Sequence, residues 1–383
     1  LGYMYDKYHI VASCNCKDQV GTDGYTLWGG YWNQAYYPSR QNAYMPAQTV
    51  KGQIPVPIFR MLGSDPIYQY DSGLGGSTQS VVSLEPVYKE GGGSRTWVEW
   101  FFKSMFEEPC LSFAYTQVGQ ENSFTWDAMK QGLEIQIPLL ETLQKEKKIR
   151  VETLTEAGEW FKEQFTVTPS TAVTTLVDNR GNDRKTVWYN SRFYRTNLLW
   201  EGSSFRFRDI HLFDEAYASD YLSQAGTSNQ CVYTTLPFVD GCLWSSVEQL
   251  AGLRLNYKDA SGEMIEAKGG IPTVEEKGQE LRVKWPLESK KAVLQITFKE
   301  DCMELLCDSK EKDFVWDLEL TALPGAPLPF TTITDKKVSA SQKDFNYQVS
   351  CKTGRFVDLR KEAGSSVFKI EPAHNKIVLL FKN

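Results

Sequence analysis

Three carboxylates stand where strand-like runs of this sequence end. They are Asp18 in Cys16-Lys-Asp18, Asp65 in Arg60-Met-Leu-Gly-Ser-Asp65-Pro66, and Glu121 in Tyr115-Thr-Gln117-Val-Gly-Gln120-Glu121-Asn122-Ser123-Phe124. In parallel α/β proteins, functional side chains gather at the carboxyl ends of strands. A pair of carboxylates across one pocket suits hydrolysis of a glycosidic bond, with one protonated as acid and the other ionised as base or nucleophile. Glu121 is therefore expected to face Asp18 or Asp65 across a sugar subsite. Each also has a plainer reading: Asp18 as a cap on loop donors, Asp65 as an Asx-type turn before Pro66, Glu121 as a solvent-facing charge. Gln117, Gln120 and Asn122 add the amides that a polyol needs. Arg60 lies in an otherwise apolar run, so once buried it requires a carboxylate, and Asp65 or Asp18 is the partner it would position.

Residues 18–42 place Tyr25, Trp28, Tyr31, Trp32, Tyr36 and Tyr37 among Gly, Asn and Gln. So much Gly and Asn marks a loop, and loops lie at the surface. Large rings kept at a surface suit the C–H faces of sugars. Trp28, Trp32 and Tyr37 are the expected stacking residues, with Asp23 and Trp126 as further substrate contacts. The competing reading is that these rings pack the loop onto the domain beneath.

Other chemistries find less support. The chain has 383 residues, a net charge of −6 and no basic block, which argues against nucleic acid as a partner. No apolar run approaches a membrane span. No GxSxG elbow, P-loop or GxGxxG opens a helix, and Gly91-Gly-Gly-Ser94 reads as a flexible loop. The three histidines, His9, His211 and His374, are far apart, so neither a metal nor a cofactor is expected from these residues. The eight cysteines include no CxxC pair. Cys14 and Cys16 fall on one face of a strand and read as core thiols. Reduced cysteines indicate a cytoplasmic protein. No leader is recognisable, but the chain begins with Leu1 rather than Met. Upstream residues are therefore expected, and a signal among them would make the protein periplasmic or secreted. An oligosaccharide or glycoside is the expected partner; an oligomer is left open.

The elements that must position these groups fall into two parts. Residues 1–169 alternate apolar runs (9–13, 56–62, 110–115 and 149–154) with helical patterns (97–106, 126–147 and 156–165). That order indicates a parallel α/β domain. The second helix carries Met129, Leu133, Ile137, Leu140 and Leu143 on one face, with Pro138 expected to kink or break it. Four strands are too few for a closed barrel, so either the sheet is open or upstream strands complete it. From about Thr171 the pattern turns to β, with hairpin-type turns at 179–182 and 260–263, and residues 170–383 read as a large β-sandwich. There, Arg206-Phe-Arg208-Asp209-Ile-His211-Leu-Phe-Asp214-Glu215 reads as a structural brace before it reads as a ligand site.

The strand-end aromatic loop, RMLGSDP and TQVGQENSF, followed by TLTEAGEWFK and a long β region, resemble the glycoside hydrolase/deacetylase superfamily. A bacterial branch of it is most similar. The resemblance implies an irregular β/α barrel, incomplete here at its N-terminus, with a mutarotase-like β-sandwich appended. It implies hydrolysis of a glycosidic bond. The alternatives are non-catalytic glycan binding and a polysaccharide deacetylase-like metal enzyme.

Overall fold

The computed structural model describes residues 2–15, 34–60, 63–72, 74, 82–119, 124–227, 235–288, 291–311, 314–361 and 364–382. The chain divides into two compact units. One comprises Leu1–Gly73, Ser77–Thr175 and Asp214–Thr234; the other comprises Leu74–Gly76, Leu176–Phe213 and Thr235–Asn383.

The first unit holds a small mixed sheet of β1 (Ser13–Asn15), β2 (Ala35–Tyr36) and β3 (Ile58–Arg60), in the order β1-β3-β2. β1 and β3 are parallel, with Cys14 beside Phe59; β2 runs antiparallel to β3. Around it lie α1 (Gly2–Lys7), α2 (Arg95–Phe106), α3 (Trp126–Lys145), α4 (Leu154–Gln164) and the strand β4 (Thr171–Thr175).

The β/α barrel-like domain expected for residues 1–169 does not form. Among the described residues, this unit has one parallel strand pair, and the chain as a whole is mostly antiparallel β. Two expected strands are absent. The 110–115 stretch joins no sheet in this region, because its backbone pairs elsewhere. Leu111 bridges Thr171, Ala172 N–H donates to the Cys110 carbonyl, and Thr174 Oγ1 donates to that of Pro109. Leu111 also has φ 66°, outside any strand. The 149–154 run is no strand either. Thr153 caps α4 there, accepting from Glu156 N–H while the Glu156 carboxylate accepts from Thr153 N–H at 2.7 Å. The 56–62 run is reduced to Ile58–Arg60 in the described residues, since Pro55 and Pro57 offer no ladder donors.

α3 differs from expectation as well. It continues through Pro138, forgoing one backbone hydrogen bond. Its apolar stripe is buried only in part: Leu143 is buried together with Gly132 and Gln136, whereas Ile137 is 58% exposed. Gln136 Nε2 donates to the carbonyls of Leu84 and Gly92, at 2.8 Å each. Gly132 sits so close to Pro86 that a Cβ would lie 2.5 Å from its Cα. The helix is thus held by a buried amide and a close backbone approach.

The second unit is two antiparallel sheets. One contains β5 (Arg184–Asn190), β6 (Tyr194–Glu201), β7 (Ser204–Leu212), β8 (Leu236–Asp240), β9 (Gly252–Lys258) and β10 (Met264–Glu266). The other begins with β11 (Thr273–Lys277), β12 (Glu280–Pro286), β13 (Ala292–Phe298) and β14 (Cys302–Ser309). β15 (Trp316–Thr321) returns to the first, and β16 (Phe330–Ile333), β17 (Lys337–Gln342) and β18 (Phe345–Thr353) lie in the second. β19 (Arg355–Asp358) and β20 (Ser366–Glu371) complete the first, and β21 (Lys376–Leu380) the second. The orders are β19-β20-β15-β9-β7-β6-β5 and β11-β12-β13-β14-β21-β18-β17-β16. Alternation along the strands supplies an aromatic interface where the two sheets meet. Phe205 meets Trp285 at 5.1 Å, Tyr189 stacks on Phe298 at 5.2 Å, and Tyr347 donates to the Pro237 carbonyl at 2.8 Å. The β9–β10 turn is the one expected at 260–263. Asp259 Oδ1 accepts from Ser261 and Glu263 N–H, and Gly262 takes φ 92°.

No helix among the described residues is long and apolar enough to cross a membrane.

Candidate functional site

The parallel pair β1 and β3 carries a cluster of polar side chains, Cys14 and Arg60, that meets Gln117. Their foundation is apolar. Ala12, Ala35, Tyr37, Phe59, Ala157 and Phe161 form one core cluster, with Phe113, Tyr115, Trp160 and Phe165 packed against it. α4 presses on β1 through a glycine: a Cβ on Gly158 would lie 2.5 Å from the Ala12 Cβ. Side chains alternate along a strand, so Ala12 and Cys14 share a face, and the register puts Phe59 beside Cys14. The Tyr115 ring meets Phe59 edge-on at 4.9 Å. The Cys14 thiol, whose titration the Tyr115 hydroxyl influences, donates to Gln117 Oε1 at 2.9 Å. Three chain segments, β1, β3 and 115–117, therefore meet at one place.

The polarity of this chain of groups is fixed. Burial pushes the Cys14 thiol up to about 11, only partly offset by the Tyr115 hydroxyl and by the charge of Arg60. Burial also raises the Tyr115 phenol, and the neighbouring thiol raises it further. At neutral pH both keep their protons. Cys14 S–H donates to the Gln117 amide oxygen.

The other expected site residues fall into three sets. Arg60 ends β3 opposite Asn15, is 2% exposed, and acts on Cys14 through its charge. Asp65 is fully buried; its Oδ1 accepts from Ile67 N–H at 2.9 Å and Tyr68 N–H at 3.1 Å, which is the Asx-type turn, and its own N–H donates to the Val82 carbonyl. Tyr37 is 3% exposed, packs edge-on against Phe161 at 5.1 Å and donates its hydroxyl to the Phe165 carbonyl, so it sits in the core as packing. Trp126 is 58% exposed at the start of α3. Gln117 is exposed and belongs to the group at the strand ends. Asp18, Asp23, Trp28, Trp32, Gln120, Glu121 and Asn122 lie outside the described residues. Sequence reasoning treated Cys14 as a core thiol and passed over Tyr115 as part of a strand. The available signal was position: both stand next to the segments already singled out.

The second unit has a buried charge network on β6, β7 and β8. Arg195 grips Asp209 with two hydrogen bonds of 2.9 Å. His211 Nε2 lies 3.5 Å from Asp209 Oδ2 and 3.6 Å from Asp240 Oδ2. Arg208 donates to Asn197 Oδ1 at 2.7 Å. Burial pushes the Asp240 carboxyl up, but the His211 ring and the N–H groups of Leu243 and Cys242 hold it below its ordinary range. These groups are at most 2% exposed, so they fix strand geometry and do not meet a solute. No group of three or more His, Cys, Asp or Glu side chains among the described residues is arranged to hold a metal ion.

No family model matches this sequence, and no curated protein matches it. Among solved structures it is similar to a candidate glycoside hydrolase/deacetylase from Parabacteroides distasonis, at 16% identity and a TM-score of 0.43. The match covers 56% of this chain and 54% of that one, so the chain spans about half the length of that neighbour.

Proposed function

We propose that this chain is a carbohydrate-active protein that binds a saccharide at the carboxyl ends of β1 and β3 and cleaves a glycosidic bond there. The observation supporting this reading is the Cys14–Gln117 hydrogen bond, which ties β1 to the 115–117 segment. Asp18 and Glu121 each follow one of these anchors by four residues. Asp65 Oδ1 accepts two N–H groups of a buried turn, and this reading therefore takes Asp18 with Glu121 as the pair. The rings between β1 and β2, Tyr25, Trp28, Tyr31 and Trp32, belong to the segment that leaves β1 and would supply stacking faces.

In this reading one carboxylic acid protonates the departing glycosidic oxygen. The other carboxylate either activates the water that attacks the anomeric carbon or attacks it first. One water is consumed and two sugars are released. The test is turnover of a panel of nitrophenyl glycosides and oligosaccharides by Asp18→Asn and Glu121→Gln. Each is expected to lose on the order of a thousand-fold in kcat while still binding the glycan. Full turnover in both variants overturns the proposal. Glycan binding by the unaltered protein with no turnover of any substrate leaves the binding half and removes the hydrolytic half.

A further inference from the structure

We infer that Gln117 offers the saccharide a pre-aimed amide N–H₂ donor, held in that orientation by the relay from Cys14 S–H to Gln117 Oε1. The inference rests on the saccharide reading of the strand ends and adds a specificity to it.

A free glutamine amide turns over easily, since its oxygen and nitrogen ends have nearly the same shape. Here the thiol decides. It donates to Oε1 at 2.9 Å, so the oxygen end faces inward and the nitrogen end faces away from β1. Among the described residues, no hydrogen bond is made by Nε2 of this exposed side chain. Reversal would place N–H₂ against the thiol and take the acceptor away from its proton. The high titration range of Cys14 keeps its proton, and hence this polarity, across the physiological range.

Every outward-directed polar function that the relay fixes is therefore a donor. The thiol is spent on Oε1, and two amide protons remain. Arg60 adds a positive field at the same place. The group that suits this arrangement is an oxygen with no proton of its own: a carbonyl, carboxylate or ring oxygen of the sugar. A hydroxyl has to turn its own proton elsewhere to be accepted.

Two measurements test this. The first is independent of any ligand: NMR of the isotope-labelled Gln117 side-chain amide. Cys14→Ala is expected to move and broaden the Nε2–H₂ signals, while Cys14→Ser, which keeps a donor, leaves them near their original position. Identical spectra for the unaltered protein and Cys14→Ala overturn the relay. The second is kinetic. Gln117→Leu is expected to raise KM about five- to ten-fold with kcat little changed, the loss of one hydrogen bond to bound substrate. Gln117→Glu, which replaces the donor with an acceptor, is expected to raise it further. Cys14→Ala raises KM about two- to five-fold and Cys14→Ser restores it. An unchanged KM in Gln117→Leu, or Cys14→Ser behaving as Cys14→Ala, overturns the specificity while the Asp18 and Glu121 variants still report on hydrolysis. Absence of any saccharide binding by the unaltered protein overturns the saccharide reading itself, with the NMR result deciding the relay separately.

Discussion

Gly158→Ala sets two known magnitudes against each other at the base of the site. Gly158 lies inside α4, where glycine is about 1 kcal/mol worse than alanine for an isolated helix. Propensity alone predicts stabilisation by that amount. The structure predicts the opposite sign. The added Cβ would lie 2.5 Å from the Ala12 Cβ and 3.2 Å from Val11 Cγ1. Carbon atoms pack at about 3.5–4.0 Å, so α4 must retreat from β1 by on the order of 1 Å. Overpacking of this kind costs ~1–3 kcal/mol. The net expectation is a loss of about 1 kcal/mol, and the retreat also loosens the strand that carries Cys14. Moving the methyl group tests the cause: Ala12→Gly combined with Gly158→Ala removes the clash and keeps the helix gain. The pair is in contact, so the double variant is expected to be more stable than the sum of the singles by ~1 kcal/mol or more. Urea unfolding followed by far-ultraviolet circular dichroism measures all three. Gly158→Ala more stable than the parent by the full propensity gain, or a double variant that is merely additive, refutes the close packing of α4 on β1.

Four further outcomes are expected. Gln136→Leu strips two buried carbonyls of their donor and is expected to cost ~2–4 kcal/mol, measured by urea unfolding, with hydrogen exchange rising first in the peptides containing Leu84 and Gly92. Arg195→Met takes the two-bond guanidinium partner from the buried Asp209 carboxylate and is expected to cost ~3–5 kcal/mol, while Arg195→Met with Asp209→Leu recovers most of it, read from the same unfolding curves. Asp317 is pushed up to about 6, chiefly by burial, with Glu319 and Glu371 adding to the rise and Asn256 and Lys369 opposing it. The folded carboxyl then holds its proton up to about 6 while the unfolded one releases it near 3.8, so stability falls as pH rises through that window, and Asp317→Asn is expected to raise the unfolding midpoint above pH 6 by on the order of 1 kcal/mol after solvent screening and to do nothing below pH 4. Thr153→Ala removes the capping box of α4 and is expected to cost ~1 kcal/mol, seen as faster exchange in the first turn of that helix.

The second unit was readable because its signals are local. Alternation of period two marks β9, β12, β13 and β18 directly, and Asp259 to Gly262 carry the turn chemistry that joins β9 to β10. Two helices of the first unit carry local signals as well: Trp97, Phe101 and Met105 fall on the buried face of α2, and Thr153 with Glu156 forms the cap of α4 inside the 149–154 run that reads as a strand. Sequence periodicity failed on α3. The Met129-to-Leu143 stripe predicts an apolar contact, yet Gln136 and Gly132 make the tight one, because a buried amide bridging two carbonyls leaves no periodic trace.

The barrel expectation failed on a different point, and the failure explains why the strand-end reasoning still has something to stand on. An apolar run such as LSFAY signals burial, not pairing. Here, Phe113 and Tyr115 are packed against the aromatic core, while the backbone at Pro109 to Ser112 bonds to the Ser170–Thr174 stretch, so the run is held in place without belonging to the small sheet. What delivers Gln117 to Cys14 is therefore side-chain packing, the Tyr115 ring on Phe59, and not a strand register. The contact between Cys14 and Gln117 thus arises from a single parallel pair and one aromatic contact. That makes Phe59 and Tyr115, core residues by composition, the pair on which the geometry of the site depends. Phe59→Leu should displace Tyr115 and release Cys14 from Gln117 even though the fold survives. The Gln117 amide signals would then match those of Cys14→Ala, and signals unchanged from the parent would show that something other than this ring contact holds the segments together.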